Sequence, residues 1–190
     1  MHCQTNSIID QMEDFKQNYY SLQGKNVLFK KSQKMDCAKM LSDAIDLSAA
    51  IDKTVFRVPN TNKIVFDYNV FKLYANPNNY EQITDAVIRV YDEILKENAK
   101  FEAHVILESF SMSAAERYKD GIRLFCNKCM GVSTKYANLL SNMYIYHTPA
   151  MFESISSLLR PFVDTTVTNR IILYSKNDSP ALLQTLFAIK

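Results

Sequence analysis

The stretch Met143-Tyr144-Ile145-Tyr146-His147-Thr148-Pro149-Ala150-Met151-Phe152, with Leu159-Arg160-Pro161-Phe162-Val163-Asp164 and Arg170-Ile171-Ile172-Leu173-Tyr174 after it, decides the fold. Its aromatic and β-branched opening predicts a strand over Met143 to Tyr146. Thr148 and Pro149 supply an N-cap residue and a first-turn proline for a helix bearing Met151, Phe152, Ile155, Leu158, Leu159 and Phe162. Arg170 to Tyr174 is a near-continuous apolar run of the kind that parallel sheets bury on both faces. A strand, a helix and a strand in that order predict a parallel pair joined by a right-handed crossover.

The same alternation extends outward. Before the deciding stretch, Ala103 to Leu107 reads as a strand, and Ser113 with Glu116 as the capping box of a helix through Tyr118, Ile122, Phe125 and Cys129 that Gly131 ends. After it, Ser179-Pro180 caps a final helix bearing Leu182, Leu183, Leu186 and Phe187. Thr54 to Val58 and Lys63 to Tyr68 flank the turn Pro59-Asn60-Thr61-Asn62 and predict a hairpin, followed by a long helix from Tyr80 to Asn98. Nearer the start, helical spacing predicts helices over Ser7 to Tyr20 and Met35 to Ile45, with Val27-Leu28-Phe29 between them as a short edge strand. The class is α/β, a mixed and largely parallel sheet with helices packed on it. We divide the chain into an N-terminal helical segment, 1–53, packed on a domain over 54–190.

With 190 residues, 47% of them hydrophobic, the chain is long enough for one sizeable core. A net charge of +2 is too mild for a nucleic-acid protein. No basic region followed by an apolar stretch opens the sequence, which predicts a cytoplasmic protein, and any membrane contact is peripheral. The four cysteines are expected to be free thiols in that compartment.

Enzyme signatures are sparse. With three glycines the chain holds neither GxGxxG nor GxxxxGK[ST], and it has no GxSxG nucleophile elbow. Cys126-Asn127-Lys128-Cys129 has a metal-like spacing but no second half, and it falls on an apolar helical stripe, where Cys acts as a small hydrophobe. His104 sits in a strand, and His147 at a strand end, a place where α/β proteins hold ligands. Lys25, Lys30, Lys31, Lys34 and Lys39 form a basic cluster that reads first as a solvated face, with anionic headgroups as the alternative. We expect no catalytic residues, no metal and no cofactor.

The order Tyr136-Ala137-Asn138, Met143 to Pro149, Met151-Phe152, Leu159 to Asp164 and Arg170 to Leu173 resembles the CRAL-TRIO signature of lipid-binding domains, such as the yeast phosphatidylinositol and phosphatidylcholine transfer proteins. In that family Tyr-Pro-Glu leads into a strand ending Asn-Ala-Pro, then a helix ending Lys-Pro-Phe-Leu-Asp, then a Lys-Ile strand. The resemblance implies that Ala150 to Val163 is a mobile gate helix over a hydrophobic pocket, dipping into the bilayer during lipid exchange. It implies a ligand-binding set of Met151, Phe152, Ile155, Leu159, Phe162, Tyr144, Tyr146, His147, Arg170 and Asn138. Asn138 and Val167 stand where phosphatidylinositol binders carry a glutamate and a threonine, which weakens the contacts to an inositol ring, while Arg170 retains a charge for phosphate. The implied function is non-catalytic binding or transfer of a phospholipid or other hydrophobic small molecule, bound lipid included, with transient membrane contact. The alternative is a protein-interaction module of the caytaxin and Rho-GTPase-activating-protein type, binding a small GTPase or itself.

Overall fold

In the computed structural model, which describes residues 7–132 and 134–188 and only the backbone of Leu158 and Leu159, the hairpin forms where its turn residues require it. Strand β1, Val55–Arg57, pairs antiparallel with β2, Lys63–Asp67. Asn60 takes the left-handed φ of 58° that asparagine tolerates, and the Thr61 hydroxyl donates to the Val58 carbonyl at 2.8 Å. Three parallel strands follow: β3, Phe101–Ile106, β4, Leu140–Tyr146, and β5, Ile171–Leu173, in the sheet order β1-β2-β3-β4-β5. This is the mixed, largely parallel sheet expected of the sequence.

Because strand order follows chain order, every parallel connection steps in the same direction, and right-handed crossovers then lie on one face. The first crossover is α4, Tyr68–Tyr74, and α5, Tyr80–Glu97. The second is α6, Met112–Arg117, α7, Lys119–Phe125, a π-helical turn over Cys126–Met130, and α8, Lys135–Leu139. The third is α9, Phe152–Leu159, a 3-10 turn over Arg160–Phe162, and α10, Thr165–Thr168. On that face Ile64, Phe101 and Ala103 pack with Val87, Tyr91 and Ile94 of α5, Cys129 and Met130 of the π-turn, and Val167 of α10. The opposite face carries Val65, Ile106 and Tyr146 under Leu186 of α11, Ser179–Phe187. Helices α1, Ile8–Gln23, α2, Lys30–Ala44, and α3, Leu47–Thr54, join α4 in a further cluster around Met12, Leu41, Phe71 and Tyr74.

Five local expectations change. Val27-Leu28-Phe29 forms no strand: the Asn26 side chain accepts from the Leu28 and Phe29 amides, and α2 starts at Lys30. The helix expected to start at Ser113 is capped instead by Ser111, whose hydroxyl accepts from the Ala114 amide at 3.3 Å. Thr148-Pro149 does not cap the following helix, which begins at Phe152, and the Thr148 hydroxyl turns back to the Ile145 carbonyl at 3.2 Å. Strand β5 is an edge strand rather than a doubly buried one, with Ile172 37% and Leu173 46% exposed. Ser179-Pro180 forms the first two positions of α11, behind Asp178 at the cap. Helices α3 and α4 were not expected at all.

Candidate functional site

Residues of α6, α7 and α9 line one cleft. Ile155 is buried, Phe152 and Phe162 are half-buried, and Met151 points outward with 56% of its surface exposed. Between these elements lies a cleft of about 140 Å³ lined by Ala115, Glu116, Lys119, Ile122, Arg123, Ile155 and Phe162. Its floor is apolar and its mouth charged. The Arg123 guanidinium stands 5.1 Å above the Phe162 ring, and Lys119 meets Glu116 at 3.0 Å. Lys119 holds the Glu116 carboxyl below its usual range. Pockets that hold drug-sized ligands start at about 300 Å³, so this cleft is smaller than such a pocket.

The sequence-predicted site divides. Tyr144 and Tyr146 alternate with Met143 and Ile145 along β4 and join the cluster beneath α11, on the far side of the sheet from α9. There they stack with His104 and Tyr174, and His104 Nδ1 lies 2.9 Å from the Tyr146 hydroxyl. Burial, with the Lys63 charge adding to it, lowers His104 to about 4, so its approach of 3.7 Å to Glu102 is no ion pair at neutral pH. His147 closes β4 at a left-handed φ of 53°, its amide donating 2.7 Å to the Ser179 hydroxyl.

Arg170 donates from one guanidinium nitrogen to the Ala137 and Leu140 carbonyls at 2.8 and 2.7 Å, tying α8 to the start of β5. Asn138 is exposed, its amide 3.4 Å from the Thr134 carbonyl. The Leu159 side chain lies outside the described residues, as do His2 and Cys3. Thus Ile155 and Phe162 line one cleft, while Tyr144 and Tyr146 join the cluster beneath α11 and His147 is tied to Ser179 of that helix. The sequence reading missed Ala115, Lys119, Ile122 and Arg123. Part of their signal was present: Ala115, Lys119 and Ile122 recur at the spacing of one helical face, a row that Cys126 and Cys129 continue.

Burial pushes the Cys126 thiol up to about 11 and Cys129 to about 12, so neither forms a thiolate near neutral pH. Among the described residues no three His, Cys, Asp or Glu side chains gather where they could hold a metal ion, and no helix is long and apolar enough to cross a membrane.

The sequence matches the CRAL/TRIO domain model over residues 61–189, a stretch from the hairpin turn through α11. No curated protein matches it. Among solved structures it resembles the crystal structure of Sfh5, with a TM-score of 0.52 at 13% sequence identity. That likeness covers 88% of this chain and 64% of the other, and at such identity it speaks for the fold.

Proposed function

Since the chain belongs to the CRAL/TRIO domain family, a family of lipid-binding and lipid-transfer proteins, we propose that it carries a phospholipid, with α9 as the gate through which the acyl chains pass. The observation that carries this reading is the cleft beneath α9: an apolar floor made by Ile122, Ile155 and Phe162, with Lys119 and Arg123 at its mouth. Two tails with about thirty methylenes, each worth roughly 0.8 kcal/mol out of water, call for a deep apolar enclosure. On this reading the enclosure opens on the crossover side of the sheet when α9 swings away, and Lys119 and Arg123 then meet a phosphate at the entrance. Membrane contact on this reading is transient and runs through exposed Met151.

Native mass spectrometry and organic extraction of the purified protein test the proposal, together with transfer of labelled phospholipid between vesicles. One bound lipid per chain and measurable transfer are expected. An empty protein that transfers nothing would sink it. A second reading, a non-catalytic module that binds a small GTPase or a second copy of itself, draws support from the small volume of the closed cleft and from Arg170 being engaged by backbone carbonyls. It predicts pull-down of that partner by a lipid-free protein.

A further inference from the structure

The turn between α1 and α2 presents Val27, Leu28 and Phe29 in a row, 74%, 86% and 66% exposed, with Leu22 at 84% on the preceding helix. Single exposed apolar residues are ordinary on protein surfaces, whereas a contiguous apolar group marks a contact. The turn is built rather than slack. Gln33 brackets it, accepting from the Asn26 amide at 2.8 Å and donating to the Gly24 carbonyl at 2.7 Å, while Asn26 caps the Leu28 and Phe29 amides. Gly24 supplies the φ of 67° that lets the chain leave α1. The apolar tip is thus held outward at little entropic cost on contact.

Cations surround it. Lys25 precedes the tip, and Lys30 and Lys31 follow directly. Lys34 is lowered first by partial burial, then by the neighbouring charges of Arg117, Lys30 and Lys16, a sign of how densely positive charge is gathered. Three exposed apolar side chains in a row, with cations before and after them in the chain, have the composition that an anionic bilayer interface takes up: apolar groups at the acyl boundary and lysines at the headgroups. Position points the same way. Lys31 meets Glu116 at 3.9 Å, and Glu116 also lines the cleft beneath α9, so the tip stands beside the gate.

We infer that residues 24–31 form a membrane-docking wedge: Val27, Leu28 and Phe29 enter the interfacial layer of an anionic bilayer while Lys25, Lys30 and Lys31 meet its headgroups. The wedge rests on the carrier reading only for its purpose, which is to seat the gate against the membrane. Its binding is distinct from ligand uptake.

The chain contains no Trp, so the single Trp of Leu28→Trp reports this position alone. With vesicles of phosphatidylcholine containing phosphatidylserine, its emission should shift to the blue and be quenched by brominated acyl chains, and both effects should fade with added salt or without phosphatidylserine. Leu28→Asp should weaken co-flotation with those vesicles on the order of tenfold to a hundredfold, the burial of one leucine expressed as a partition ratio. Unshifted emission, or flotation of Leu28→Asp equal to the parent protein, overturns the wedge. So does a concentration-dependent dimer in ultracentrifugation that Leu28→Asp abolishes while flotation stays unchanged. Extraction separates the two readings. Leu28→Asp that keeps its lipid but loses flotation supports the wedge, and a protein that floats through Leu28 yet carries no lipid also supports it while refuting the carrier.

Discussion

Replacing Ile155 with alanine should loosen the gate without loosening the protein. Among the described residues Ile155 is the one buried side chain of α9, at 3% exposure. Ile→Ala in a close-packed core costs about 2–5 kcal/mol. Here one side of the residue already borders a void of about 140 Å³, so fewer contacts are lost and the low end applies. Alanine returns a few tenths of a kcal/mol in helix propensity, leaving about 2 kcal/mol. Because this loss falls on a helix with one buried side chain among the described residues, it should appear as local opening, about thirty times more frequent than in the parent protein. Native-state hydrogen exchange reads it directly. Amides of α9, such as Ile155 bonded to the Met151 carbonyl at 3.1 Å, should exchange about thirtyfold faster while those of β3 stay nearly unchanged, and lipid transfer should accelerate. Unaltered exchange in α9, or acceleration equal to that of β3, would show that α9 does not open independently and would undo the gate argument.

Other outcomes follow from the packing. His104 has its pKa lowered from 6.5 to about 4, so the unfolded chain binds the extra proton between those values; the stabilisation is complete above pH 6.5 and lost as pH falls through 4. Urea titrations across that window should lose up to about 3 kcal/mol, and His104→Gln should flatten the slope. Thr54→Val leaves the buried Tyr74 hydroxyl without its 2.8 Å partner and should cost about 1–3 kcal/mol, whereas Tyr74→Phe should cost less because Thr54 keeps the Ala50 carbonyl. His147→Gly removes the strain of a left-handed φ of 53° and should be neutral or stabilising by up to about 1 kcal/mol in thermal unfolding, while His147→Val should be destabilising by more than that.

How far the sequence disclosed this molecule depended on the reach of each signal. The alternation from Ala103 to Phe187 was legible because strands and helices with one buried side repeat their apolar residues at fixed periods. The hairpin was legible because Asn60 and Thr61 close it through their own side chains. Position in the sheet was not. The run Arg170 to Tyr174 is apolar enough for a central strand, yet only the pairing order reveals that β5 has a neighbour on one side. Val27-Leu28-Phe29 misled for the opposite reason: apolar residues in a row imply burial, and these are exposed. Short α3 and α4 carry too few turns for a period to show. At the candidate site, the residues of α9 were named from their stripe and the family resemblance. The other wall, Ala115 to Arg123, belongs to α6 and α7 of the preceding crossover, and only crossover packing brings it there. Tyr144 and Tyr146 join the cluster beneath α11 because the pleat sends them to the face opposite Met143.

The one-directional strand order also bears on biosynthesis. Every crossover helix before β5 lands on one side of the sheet, so while the chain is being made the other side, with Val65, Ile106 and Tyr146, awaits its cover. Its cover, α11, is encoded after all five strands and emerges from the ribosome later than any surface it must shield. A nascent chain paused before Ser179 therefore exposes a nearly finished apolar sheet face, the state in which chaperone capture or aggregation competes most strongly with the native fold.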